Sequence, residues 1–345
     1  MSAPTFIVGT GRCGSTMLSD VLRRHPDILS VSEFFTLVTD LGGRIEQTFP
    51  DGEVDGHAVH AIVAGAHPKQ TLMHRHDVAM SEVLSRAGAR FGADVPAILQ
   101  TTLPHLTSAP EALFDEVSTF IIAQPPARIG QHYARLFTWL AEHFGKQHWV
   151  ERSGGSLRIV RRLLDAFPDA RFVHIVRDGR TTAMSMSKHY GFRMALVALQ
   201  LTEILGCDPF ESADRSCLAD VPDELAPFLP EAFDAEAFRR YDTPLPLCGH
   251  YWSGEIIEGL KTLSTLPPDR VLTLRYEDFL ATPKPAITRL VGFLDPRRVD
   301  AAWVDDVAGS VRSARASVDD LSRAERAALE DACAPGFAAL GGLYP

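Results

Sequence analysis

Apolar positions along the chain follow two rhythms. Thr5-Phe6-Ile7-Val8 is a short apolar run leading into glycines, after which Met17, Leu18, Val21 and Leu22 recur at helical spacing. This predicts strand, loop and helix. His25-Pro26-Asp27 stops that helix, and Ile28-Leu29-Ser30-Val31 predicts a second strand ending at Ser32-Glu33. Further on, Ser156 is placed to cap a helix whose apolar stripe is Leu157, Val160, Leu163, Leu164 and Phe167, closed by Pro168-Asp169. The run from Arg171 to Arg177 then predicts a buried strand, and Asp178-Gly179 turns the chain into another helix. A late strand is predicted from Arg270 to Tyr276, followed by Pro283 and helical positions Ile287, Leu290, Val291 and Leu294. Strands alternating with helices predict an α/β fold in which a parallel β-sheet is flanked by helices on both faces.

Two stretches break this rhythm, about 40–147 and about 191–250; the second holds the acidic, proline-rich run LADVPDELAPFLPEAFDAEAF. They are expected to be mainly helical or irregular insertions in a single domain spanning 1–345, forming a lid or a substrate pocket. Composition agrees with a globular protein, since 46% of 345 residues are hydrophobic. The net charge of −10 argues against a general attraction to nucleic acid or anionic lipid, so an anionic ligand needs a local cluster of arginines and backbone N–H groups. Five scattered cysteines without a C-x-x-C pair predict neither a disulfide framework nor a zinc site, and they suit a reducing cytoplasm. No run approaches the roughly 20 apolar residues of a membrane span, no export signal is predicted, and no motif sets an oligomeric state.

The sharpest local signal is Gly9-Thr10-Gly11-Arg12-Cys13-Gly14-Ser15-Thr16. It fits the triphosphate-binding frame G-x-x-x-x-G-K-[ST] at Gly9, Gly14 and Thr16, but Ser15 stands where the lysine belongs. A glycine loop between strand and helix gathers N–H groups at one point, and the helix N-terminus adds about half a positive charge, so the anion cradle survives without lysine. A cation is present instead at Arg12, two residues before Gly14.

With that arginine in place, Gly11-Arg12-Cys13-Gly14-Ser15-Thr16 resembles the 5'-phosphosulfate loop of sulfotransferases, which bind 3'-phosphoadenosine 5'-phosphosulfate (PAPS). A second block, Phe172 to Ser185, resembles the same family's 3'-phosphate block, in which an Arg at a strand end and a Ser eight positions later hold the adenosine 3'-phosphate; these are Arg177 and Ser185. His25-Pro26 with Ser32-Glu33, the Trp149-Val-Glu-Arg-Ser-Gly stretch, and Leu274-Arg-Tyr-Glu-Asp-Phe279 with Pro283 are similar to the bacterial and tyrosylprotein branch. The resemblance implies a P-loop-like sheet, PAPS as cosubstrate, no metal, and transfer to a hydroxyl of a small molecule, lipid or glycan. It assigns the cofactor to Gly11, Arg12, Cys13, Gly14, Ser15, Thr16, Arg177 and Ser185, the base to Glu33, and charge stabilisation to Arg12 and Arg152. Arg152 departs from the branch's usual Lys, and Ser153-Gly154 from its usual Thr-Pro.

Two competing readings follow from the same residues: a P-loop kinase or NTPase, opposed by Ser15, and a catalytically inactive binding protein, raised by the departure at 152–154. His174, at mid-strand, is expected to be a packed core histidine. Cys13, inside the anion loop, is expected to have a lowered pKa. The segment Val311-Arg312-Ser313-Ala314-Arg315 either returns to the nucleotide or forms a solvated turn.

Overall fold

The structure, a computed structural model, describes residues 3–78, 80, 83–84, 90–311 and 318–344. The chain divides into two compact units, one made of Met1–Glu33, Ala127–Ser185 and Leu245–Pro345, the other of Phe34–Pro126 and Met186–Pro244.

The first unit is built on five parallel strands: β1 (Thr5–Val8), β2 (Ile28–Ser32), β3 (His148–Arg152), β4 (Arg171–Val176) and β5 (Val271–Arg275), in the order β2-β3-β1-β4-β5. Four of the five lie where the apolar pattern predicts them. The strand missed by that pattern is β3, whose His-Trp-Val-Glu-Arg sequence buries a glutamate and an arginine and so does not read as apolar.

Strand alternation sends successive side chains to opposite faces. On one face Ile7, Val150, Val173, Ile175, Leu272 and Leu274 join a core with Leu18, Val21 and Leu22 of helix α1 (Ser15–Arg23). Residues of three later helices complete that core. The opposite face carries an aromatic cluster in which the Phe6 ring lies 5.0 Å from Phe167, 5.9 Å from Trp149 and 6.0 Å from Phe172. Phe137 of α2 (Ile129–His143) extends it, 5.0 Å from Trp149. Each such side chain contributes about 1.5–3 kcal/mol on burial, so both faces hold the sheet rigid and its strand ends stay in register.

Helix α3 (Val160–Ala166) follows a short 3-10 turn, Leu157–Ile159. Ser156 does not cap it as expected: its hydroxyl donates to the Ser153 carbonyl at 2.8 Å, because the 3-10 turn already occupies the position a capped first helical turn would need. The remaining helices of this unit, among the described residues, are α4 (Gly179–Ser187, in this unit as far as Ser185), α5 (Leu245–Leu263), α6 (Tyr276–Ala281), α7 (Pro283–Leu294), α8 (Ala301–Ala308) and α9 (Arg323–Ala339). Phe279 of α6, Ile287, Leu290, Val291 and Leu294 of α7, and Val304 and Val307 of α8 are the residues that close the first core.

The second unit is mostly helical, including Gly56–Val63, Pro68–Arg75, Pro110–Ile122 and Tyr190–Leu205. Its interior includes a buried polar cluster. Lys69, 1% exposed, donates from Nζ to Asp208 at 2.6 Å, while the buried Asp40 carboxylate accepts from the Lys69 and Gln70 backbone N–H groups. Among the described residues no helix is long and apolar enough to cross a membrane.

Candidate functional site

The C-terminal ends of parallel strands are where open α/β sheets bind ligands, and the residues singled out in the sequence gather there. The loop between β1 and α1 runs through the left-handed region three times, with φ of 77° at Gly11, 54° at Arg12 and 93° at Gly14. A non-glycine residue such as Arg12 costs about 1–2 kcal/mol in that region. Two glycines are required by close approach as well: a Cβ at Gly14 would lie 2.2 Å from the Tyr276 ring, and one at Gly9 would lie 2.5 Å from the Cys13 sulfur. The loop ends at α1, where Ser15 is buried and Thr16 exposed, so the helix N-terminus points its field at the space beside them.

Arg177 leaves the sheet one residue beyond β4. Its guanidinium NH1 donates to the Arg12 carbonyl at 3.2 Å and its guanidinium carbon lies 4.9 Å from the centre of the Tyr276 ring. Only 7% exposed, it pairs with no carboxylate among the described residues. Arg12 in turn donates from Nε to Ser185 Oγ at 3.2 Å, so α4 is tied to a loop 173 residues earlier in the chain. The structure therefore brings Arg12, Arg177 and Ser185 together. It adds Tyr276, to which the sequence reading gave no role: its ring lies against Gly14 on one side and Arg177 on the other. No sequence signal marked it, because the contact follows from the register: Val176 pairs with Arg275, and the next residue of each strand is Arg177 or Tyr276.

Glu33 and Arg152 form a second cluster. Ser32 pairs with Arg152 in the β2–β3 ladder, and the Glu33 N–H then donates to the Arg152 carbonyl at 2.7 Å. This turns Glu33 into the left-handed region, φ 57°, and aims its carboxylate back at β3. One carboxylate oxygen accepts from Arg152 NH1, the other from the Gly154 N–H at 2.8 Å. The usual proline at 154 has no N–H to give, so the departure at this position supplies a donor that the expected residue lacks. Arg152 is 1% exposed and its Nε–H has no partner among the described residues.

Cys13 corrects an expectation. Burial pushes its thiol up, and the N–H groups of Ser15, Gly11 and Cys13 itself, which pull the other way, do not overcome it. It is a packed thiol, enclosed under the loop. His174 is fully buried, both ring nitrogens lack partners among the described residues, and burial lowers its pKa to about 4, so it is a neutral core residue as expected. Arg312 to Arg315 lie outside the described residues. Among the described residues no group of three or more His, Cys, Asp or Glu side chains is arranged to hold a metal.

Residues 4–206 match the model of the sulfotransferase family. Among solved structures the chain is similar to a sulfotransferase from Alicyclobacillus acidocaldarius (17% identity, 99% of this chain and 96% of the other, TM-score 0.43). It is also similar to the sulfotransferase domain of the Synechococcus PCC 7002 olefin synthase (18%, 97% and 96%, 0.41) and to a sulfotransferase from Mycobacterium avium (14%, 96% and 75%, 0.46). No curated protein matches the sequence significantly.

Proposed function

Because the chain belongs to the sulfotransferase family, we propose that it transfers the sulfuryl group of PAPS to a hydroxyl of a small molecule, lipid or glycan. The observation that carries this reading is the convergence of Arg12, Arg177 and Ser185, drawn from two motif blocks, around a loop that has arginine inside it and no lysine after it. Arg12, Ser15, Thr16 and the N–H groups of Gly11, Cys13 and Gly14 would hold the 5'-phosphosulfate. Arg177 and Ser185 would hold the 3'-phosphate, with planar charge-assisted donors from the guanidinium. The cosubstrate supplies an activated sulfuryl group on a good leaving phosphate.

The protein's own part is positioning, charge stabilisation and proton removal. Glu33 takes the acceptor's hydroxyl proton. Arg152 and the Gly154 N–H each hold one of its two carboxylate oxygens, which fixes the direction in which the carboxylate is presented. Arg152 keeps its Nε–H for developing negative charge on the sulfuryl or phosphate oxygens.

The test is nucleotide choice. Adenosine 3',5'-bisphosphate, the spent cosubstrate, should raise the unfolding temperature, since a ligand at a hundredfold excess over Kd adds about 2.7 kcal/mol. ATP with magnesium should do less. Stronger stabilisation by ATP would replace this reading with a P-loop kinase or NTPase, and failure of both nucleotides would leave a binding protein of the same fold.

A further inference from the structure

Beyond the residues already assigned, a chain of contacts reaches the Arg177 corner from the far end of the described sequence. β4 and β5 leave the sheet side by side: Val176 pairs with Arg275, so Asp178 lies level with Glu277 two residues later. At that point β5 has already become α6, and its backbone no longer continues the ladder. Glu277 supplies the missing acceptor with its side chain. One oxygen accepts the Asp178 N–H at 3.0 Å and the other accepts the Tyr344 hydroxyl at 2.7 Å. Asp178 then fixes the start of α4, accepting from the Thr181 N–H at 3.1 Å through its side chain and from the Thr182 N–H at 3.0 Å through its carbonyl.

The Tyr344 end is equally well held. Its ring is buried, with the Arg275 guanidinium 4.6 Å from its centre and the Phe337 ring 5.8 Å away. Arg180 pairs with Asp178 at 2.6 Å and lies 5.5 Å over Phe337, so the two neighbouring carboxylates, Asp178 and Glu277, are flanked by the guanidinium groups of Arg180 and Arg275. Burial and the adjacent Glu277 both push the tyrosine hydroxyl's pKa up, which keeps it a donor.

We propose that Glu277 and Tyr344 are positioning residues for the 3'-phosphate end of the nucleotide site. The Tyr344 hydroxyl orients the Glu277 carboxylate, which holds the Asp178 N–H and thereby the strand-to-helix corner that aims Arg177 and, within the helix that starts there, Ser185. Neither residue touches the nucleotide. This inference rests on the nucleotide reading given above.

The experiment compares adenosine 3',5'-bisphosphate with adenosine 5'-phosphate, which lacks the 3'-phosphate, by titration calorimetry. Tyr344→Phe keeps the ring and its packing and removes only the hydroxyl. It should weaken bisphosphate binding about tenfold, as expected for a hydrogen bond to a charged group, and leave 5'-phosphate binding within about twofold. In turnover the KM for the sulfuryl donor should rise while kcat holds. Glu277→Gln, which keeps an acceptor for Asp178, should show a smaller loss in the same direction. Equal weakening for both nucleotides would make the contact a merely structural one and overturn the proposal, as would unchanged discrimination in Tyr344→Phe. A wild-type protein that fails to prefer the bisphosphate would overturn the nucleotide reading itself, a different result from a preference that survives the substitution.

Discussion

Two arginines sit at the same edge of the sheet, each at the end of a strand, and each is nearly buried: Arg177 after β4 at 7% exposure and Arg152 ending β3 at 1%. They differ in what answers their charge. Arg152 is paired with the Glu33 carboxylate, whereas Arg177 has a carbonyl and an aromatic ring and no carboxylate among the described residues. A buried charge without a counter-ion is costly, so a fold keeps one only where something else repays it. The comparison separates the two halves of the site. One is neutral before any ligand arrives, and the other holds positive charge ready for an anion.

The largest effect should follow from breaking the neutral half. Arg152→Ala or Glu33→Ala strips a partner from a buried ion and should cost about 3–5 kcal/mol in urea unfolding at neutral pH. Loss of transfer activity in Glu33→Ala therefore has to be read with the fold verified, and Glu33→Gln is the gentler probe because it keeps an acceptor for Gly154. If either alanine variant were as stable as the parent, Arg152 and Glu33 would not be a coupled pair, and the contrast with Arg177 would collapse.

The other half predicts the opposite pattern. Arg177→Met should leave ligand-free stability unchanged or raised, because an apolar chain replaces a buried cation without a counter-ion. The same change should weaken adenosine 3',5'-bisphosphate binding about a hundredfold, the ~2.7 kcal/mol expected when a desolvated charge pair with phosphate is removed. Denaturation and calorimetry on one preparation test both limbs. A variant that lost stability and affinity together would show that Arg177 serves the fold as Arg152 does.

How far these halves were legible in sequence differs for a physical reason. The loop, Arg177 and Ser185 lie in stretches where spacing carries the information: glycines at positions of positive φ, and an arginine one residue past an apolar strand. The sheet was legible for the same reason, save β3, whose buried Glu151 and Arg152 erased the apolar pattern that marks a central strand. Roles that depend on what comes to lie next to what were not legible. Tyr276 and Glu277 were visible as residues, but their contacts with Gly14, Arg177 and Asp178 follow from the pairing of β4 with β5. The Gly154 N–H was read as a departure and is a donor to Glu33. Cys13 was read from the field of the loop alone, and its enclosure outweighs that field.

His174 sharpens the comparison with a third outcome for a titratable group in the same sheet. It lies two residues before Val176, fully buried, with neither ring nitrogen partnered among the described residues, and it has neither the counter-ion of Arg152 nor the prospective anion of Arg177. It gives up its charge instead, with a pKa lowered from 6.5 to about 4 by burial. The unfolded chain then binds a proton below pH 6.5 that the folded protein refuses until about pH 4, so stability falls as pH drops through that window and the loss levels off below it. Between pH 7 and pH 5 this one group should remove about 2 kcal/mol of stability. His67 and His148, also lowered to about 4 by burial, add to the same limb, so the measurement has to be a difference. Urea unfolding at both pH values should show His174→Phe losing about 2 kcal/mol less than the parent, with a gain at pH 7 from removing two unpartnered polar atoms. Equal losses in both proteins would mean that His174 is solvated or hydrogen-bonded in solution, and would leave Arg177 as the contrast to Arg152, a charge buried at the sheet without a counter-ion among the described residues.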